Sequence, residues 1–113
     1  MHSIATTLNA RHALVVAGDG QAPDAAELAA RLEREFGVHV AQVRTPAELE
    51  RVLRDGAVVA LCPLHGALSA AHAVQTACQV GSPCAVLAYG SDLEPSAWIA
   101  ALRCGAVDVL RVP

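Results

Sequence analysis

The chain contains no lysine; all eight of its Lys and Arg residues are arginines, so no side-chain ammonium can answer a developing negative charge anywhere in it. The arginines are spread along the sequence with no basic cluster, and net charge is −3. Nucleic-acid binding is dominated by phosphate contacts that need a positive patch, so this segment is not expected to bind nucleic acid. Although 54% of the residues are hydrophobic, no run approaches the roughly 18 apolar residues of a membrane span. No membrane partner is expected. Residues 1–9 lack both a cationic stretch and an apolar run, so no secretion signal is read and the cytoplasm is the expected compartment. Cys62, Cys78, Cys84 and Cys104 form no C-x-x-C pair, which excludes zinc-knuckle and thioredoxin-type motifs. Free thiols behaving as small hydrophobes are expected.

What is present, in 113 residues and 11.6 kDa, is enough for one core. It is organised around residues 56–66, G-A-V-V-A-L-C-P-L-H-G. The uninterrupted apolar run 57–62 stops at Pro63, which suits a central parallel strand covered on both faces. In open α/β sheets ligands bind beyond the carboxyl ends of the strands, so the loop carrying Cys62, Pro63, Leu64 and His65 is the first place to look for function.

Around it, strands and helices alternate. Residues 1–11 read as an N-terminal arm, 12–17 (H-A-L-V-V-A) as a first strand, and Gly18-Asp19-Gly20 as a loop. Asp24 and Glu27 make a capping box for a helix that buries Leu28, Leu32 and Phe36 and closes at Gly37. Residues 38–43 form a less apolar strand suited to the sheet edge. Thr45, Pro46 and Glu48 cap a second helix with Leu49, Val52 and Leu53 inward. After the central strand, a helix over 68–79 is expected to turn Leu68, Ala71, Val74 and Cys78 to the core. Residues 84–89 (C-A-V-L-A-Y) make a fourth strand, 96–103 a short helix burying some of Trp98, Ile99 and Leu102, and 106–111 a fifth strand. Such alternation implies right-handed crossovers and a parallel sheet.

From Ala13 onward the sequence resembles the receiver domain of two-component response regulators. The carrying segments are A-L-R-C-G-A-V-D-V-L-R-V-P at the end, V-V-A-L-C in the third strand and P-C-A-V-L-A in the fourth. The resemblance implies a flavodoxin-like (CheY-like) three-layer α/β sandwich with parallel strand order 2-1-3-4-5, here with four helices and the fifth missing. It also implies where a phosphorylation site would be, and at those positions the sequence departs. The family's phosphoacceptor aspartate falls on Cys62. Its Mg²⁺-holding acidic pair falls on Ala17 and Gly18, leaving Asp19 as the residual acid one place later. Its strand-four hydroxyl residue falls on Ala88, its aromatic switch residue on Val109 and its lysine on Val112. Mg²⁺ wants octahedral oxygen ligands, and an aspartyl phosphate needs a carboxylate with metal and lysine nearby. The expectation is a degenerate receiver, with no catalytic residue, no metal and no cofactor.

Other readings of the same residues have physical requirements of their own. A nucleophilic or redox-sensing Cys62 would need a cation or helix N-terminus to lower its pKa, and only His65 is in reach. Cys62-Pro63 is also the dipeptide of haem-regulatory motifs, but haem needs a large apolar cavity that a chain this small hardly spares. Gly18-Asp19-Gly20 lacks the third glycine of a dinucleotide fingerprint, because Pro23 stands there. His2, His12, His39 and His72 sit on separate elements and read as surface or strand-end residues. Trp98 is either a core anchor or, with Arg103, Val109 and Arg111, part of a contact surface of the kind through which receivers dimerise.

Without a fifth helix, one sheet face would expose apolar residues. Three explanations compete: an effector domain following Pro113 in a longer regulator, a second copy, or the N-terminal arm folding across. The first is favoured. The reading is a module that acts by protein contact, as a homodimer or through a C-terminal effector, with Asp19, Cys62 and His65 as a possible ligand edge. The alternative is a flavodoxin-like enzyme or thiol sensor using Cys62.

Overall fold

The computed structural model describes residues 14–18, 24–90 and 94–111. The arm at 1–11, His2, His12, Asp19, Pro23 and Val112 therefore lie outside the described residues. The elements are β1 (Leu14–Ala17), α1 (Asp24–Phe36), β2 (Val40–Val43), α2 (Pro46–Arg54), β3 (Val59–Pro63), α3 (Ala70–Val80), β4 (Ala85–Gly90), α4 (Pro95–Arg103) and β5 (Asp108–Arg111). All strand pairs are parallel and the sheet runs β2-β1-β3-β4-β5. This is the expected order, with β3 at the centre and β2 at an edge.

Strand alternation divides the apolar residues between two layers. Val15, Ala17, Ala60, Cys62, Val86, Ala88 and Val109 face α2, α3 and α4 in the larger core, where Leu49, Leu53, Leu68 and Ala73 pack against them. Val16, Leu61 and Tyr89 point to the other side, where Leu28 and Ala29 of α1 cover them with Val40. On that second face Leu14, Val59 and Leu87 are partly buried, and Leu110 is exposed.

Local chemistry sets the element ends. At α2, Thr45 Oγ1 accepts from the Glu48 N–H at 3.1 Å, and Glu48 Oε1 accepts from the N–H groups of Arg44 at 2.8 Å and Thr45 at 3.2 Å. This is the expected capping box, and donation from the Arg44 backbone, the largest cause, lowers the Glu48 pKa. Ser69 Oγ accepts from the His72 N–H at 3.2 Å to start α3. Glu33 Oε2 accepts from the Val40 N–H at 3.0 Å, tying the end of α1 to the start of β2. Gly105, after α4, has φ +109°, and a Cβ there would lie 3.0 Å from Val74 Cγ1. The positive φ favours glycine there, and a Cβ would in addition press on the Val74 side chain.

Several expected inward faces turn out differently. Phe36 is 66% exposed, because α1 has already passed the end of the sheet at its last residue. Val58 is exposed and precedes β3, so the central strand begins at Val59, two residues later than its apolar run. In α3 the buried residues are Ala70, Ala73, Thr76 and Ala77, while Ala71 and Cys78 are exposed. A helix apolar on several sides does not reveal its inner face by periodicity, and here alanines permit the closest approach to the sheet. In α4 only Ala101 is buried; Trp98, Ile99 and Leu102 all face outward.

Leu49 has no exposed surface and sits at the heart of the larger core. Leu49→Ala is expected to lower unfolding free energy by about 2–5 kcal/mol in urea titrations, whereas Leu110→Ala should change it by less than about 0.5 kcal/mol. Because the folded pKa of Glu48 is depressed, its contribution is present above the unfolded carboxylate value of about 4.3 and is lost as pH falls through the folded value. Glu48→Gln should flatten that acid limb of the stability profile.

Candidate functional site

The carboxyl edge of the sheet is where a site would be built, and strand register shows what stands there. Cys62 pairs with Ala88 on β4, and Ala88 pairs with Val109 on β5. The three positions form one row across the sheet, on the face packed against α2, α3 and α4. Cys62 has no exposed surface, and Ala88 and Val109 are buried beside it. On the β1 side, Ala17 lies one residue beyond the Val16–Leu61 pair. None of these side chains carries an oxygen, and none carries a charge.

Burial dominates the chemistry of the thiol. Desolvation, with a smaller contribution from Cys84, pushes Cys62 up to about 12, and desolvation raises Cys84 to about 11. A thiol neutral at physiological pH and closed to solvent is a poor nucleophile, a poor metal ligand and a poor redox sensor. His65 stands in the following loop, exposed. Of the suggested ligand edge, Cys62 is therefore inside, His65 is outside, and Asp19 lies beyond the described residues.

Whether Mg²⁺ fits this edge depends on oxygen donors, since its octahedral shell needs carboxylates or carbonyls with water. Ala17, Gly18, Cys62, Ala88 and Val109 offer no side-chain oxygen. Among the described residues no three His, Cys, Asp or Glu side chains converge to hold a metal ion. The described residues at this edge do not fit the ion.

Sequence reasoning missed Tyr89. Its hydroxyl donates to the Ala17 carbonyl at 2.7 Å, a buried bond between residues 72 apart. Tyr89 lies on the face of Val16 and Leu61, opposite the Cys62 row, so its phenol spans β3 to join β4 to β1 at the carboxyl edge. The available signal was a phenol ending an otherwise apolar strand, since a buried hydroxyl must find a partner.

Away from that edge, Trp98 is 42% exposed, with Ile99 and Leu102 beside it on α4. Arg103 and Arg111 are exposed as well. Val109, grouped with them on sequence grounds, is instead buried, because alternation along β5 turns it inward while Leu110 faces out.

Comparison with solved structures places this architecture. A response regulator protein from Burkholderia pseudomallei, solved with a phosphorylated aspartic acid, calcium and citrate, superposes with a TM-score of 0.71 at 22% identity, covering 88% of this chain and 59% of that one. The signal receiver domain of a LuxO repressor protein from Vibrio parahaemolyticus gives 0.71 at 16% identity, covering 88% and 77%. The beryllofluoride-activated NtrC4 receiver domain dimer gives 0.71 at 20% identity, covering 90% and 84%. The fold is that of a response-regulator receiver domain. This receiver fold thus spans 59% of the length of the Burkholderia protein. No family model matches the chain, and no curated protein matches it by sequence. Among the described residues no helix is long and apolar enough to cross a membrane.

Exposed Cys78 and Cys104 should be alkylated by iodoacetamide at neutral pH at least about 100-fold faster than Cys62, which should react only on unfolding; peptide mapping reads the difference. The raised Cys62 pKa contributes stability that is complete below the unfolded thiol value of about 8.5 and fades as pH rises. Cys62→Ala should flatten that alkaline decline.

Proposed function

We propose that the chain is a pseudo-receiver: a signalling module that keeps the receiver fold, cannot be switched by phosphorylation, and works through protein contact. One observation carries this reading. The position matching the phosphoacceptor is a buried, protonated thiol, in a row with Ala88 and Val109 that is free of charge and oxygen donors.

Phosphoryl transfer rests almost entirely on electrostatic stabilisation of the transferring group. Metal ligands and ammonium are the usual means, and a lysine-free chain has only arginines to offer. Of these, Arg111 is on β5, and Arg103 ends α4 at the opposite, amino side of the sheet. The same closure counts against an enzyme or thiol sensor built on Cys62.

Contact is supported by α4. A short helix that buries Ala101 and turns Trp98, Ile99 and Leu102 to water is arranged for a partner more than for its own core. Arg103 and Arg111 add guanidinium groups at the margin, and Trp and Arg dominate interface hot spots. In a homodimer these residues would meet their counterparts; in a longer regulator they would hold an attached effector domain, transcriptional or signalling. The solved NtrC4 receiver is itself a dimer.

Incubation with acetyl phosphate or beryllofluoride and Mg²⁺ should leave the mass and the amide spectrum unchanged. Cys62→Asp alone should not restore phosphorylation, because the acidic pair and the ammonium remain missing; a stable phosphoryl adduct on the unaltered chain would defeat the reading. Trp98→Ala should weaken self-association by about thirtyfold in sedimentation equilibrium, corresponding to a hot spot of about 2 kcal/mol.

A further inference from the structure

Three of the four cysteines gather at one end of one layer. Cys78 lies in the last turn of α3, Cys104 caps the end of α4, and Cys84 immediately precedes β4. In a parallel sheet each strand begins at the amino edge and each covering helix returns there, so all three stand at that edge, on the side covered by α2, α3 and α4. Cys62 is at the opposite, carboxyl edge.

A close approach between two helices brings Cys78 and Cys104 together. The Cβ position of Gly105 is 3.0 Å from Val74 Cγ1, and with the bonds that join those atoms to the main chain the two backbones are no more than about 7 Å apart there. Cys104 is the residue before Gly105. Cys78 follows Val74 by one turn on the same side of α3, about 6 Å along the helix. On α4, Trp98 and Cys104 stand three residues before and three after buried Ala101, so they fall on opposite flanks, and Cys104 is turned away from Trp98. Both cysteines are free and exposed, whereas Cys84 is partly buried and its Sγ donates to the Ala85 carbonyl at 3.6 Å. A disulfide spans Cα atoms about 4.4–6.8 Å apart, the scale of the backbone approach at Gly105. Terminal turns, where both residues sit, are also the parts of a helix that adjust most freely.

We propose that Cys78 and Cys104 form a redox pair that closes to a disulfide between α3 and α4 by exchange with a small-molecule disulfide of the glutathione type. The thiolate of one cysteine attacks a sulfur of the reagent, breaking its S–S bond, forming a mixed disulfide and releasing one small thiolate. The thiolate of the other cysteine attacks the protein sulfur of that mixed disulfide, and the second small thiolate leaves. Two protein thiols are oxidised, one small disulfide is reduced, and both protons pass to the released thiolates. The bridge pins the last turn of α4, the helix whose outer side chains make the contact face proposed above, so redox state sets how firmly that helix is held. That consequence rests on the contact reading; the bridge itself does not.

Equilibrating the reduced full chain with oxidised glutathione at neutral pH tests it by intact mass and peptide mapping. Expected is a monomer that has lost two hydrogens, carries no glutathione, shows Cys78 linked to Cys104 and reverts with dithiothreitol, in a yield unchanged on tenfold dilution of the protein. Cys78→Ser and Cys104→Ser should each stop at the mixed disulfide, with one glutathione on the remaining partner, and Cys84→Ser should leave the bridge in place. Glutathione held separately on both Cys78 and Cys104 of the unaltered chain overturns the proposal. So do a bridge that uses Cys84, a link found only between molecules, and a chain that stays fully reduced. The mass readout needs no partner, so its failure is distinct from failure of the contact reading.

Discussion

Everything in this fold depends on keeping β3 out of water on both sides. Ala60 and Cys62 face the layer of α2, α3 and α4, and Leu61 faces α1, so one short strand is enclosed between two hydrophobic cores. Burial of apolar surface drives folding, and a strand sealed in this way commits its neighbours to parallel pairing and its helices to opposite faces. It also fixes the chemistry of its last residues. A side chain at the end of such a strand either meets a polar pocket that compensates its charge or remains neutral. Cys62 takes the second course, with apolar Ala88 and Val109 beside it in register.

Closure at the carboxyl edge shifts interest to the rest of the surface. The hydroxyl of Tyr89 holds β4 to β1 over the top of β3, which fastens the carboxyl edge of the sheet. Among the described residues the large apolar side chains that water still reaches are at the opposite edge, on α4 and, at Leu110, on β5. Among the described residues, the Cys62–Ala88–Val109 row at one end of the sheet is buried and free of charge, while exposed apolar side chains lie elsewhere.

Much of the architecture is legible in the sequence because short apolar runs alternate with capped helices. Thr45, Pro46 and Glu48 mark the start of α2 by residue type and spacing alone, and the run ending at Pro63 identifies the central strand. Substitution by Cys62, Ala88 and Val109 at the resembling positions is equally plain. What escapes is direction. Alanine-rich α3 and α4 are apolar nearly all round, so period alone does not separate an inward alanine from an outward Trp98 or Cys78. Phe36 continues the Leu28–Leu32 stripe in sequence but runs past the sheet in space. The Tyr89–Ala17 bond joins distant segments, and such long-range pairing of a phenol with a main-chain carbonyl has no local signature.

The chain holds one tryptophan and one tyrosine, and the fold sends them to different environments. Trp98 sits half in solvent on α4, while Tyr89 is buried at the end of β4 with its hydroxyl on the Ala17 carbonyl. The protein thus carries two built-in optical reporters, an indole tuned to events on the outer helix and a phenol tuned to the integrity of the sheet. Docking of another molecule and loosening of the interior would therefore register in separate spectral channels of the unlabelled chain.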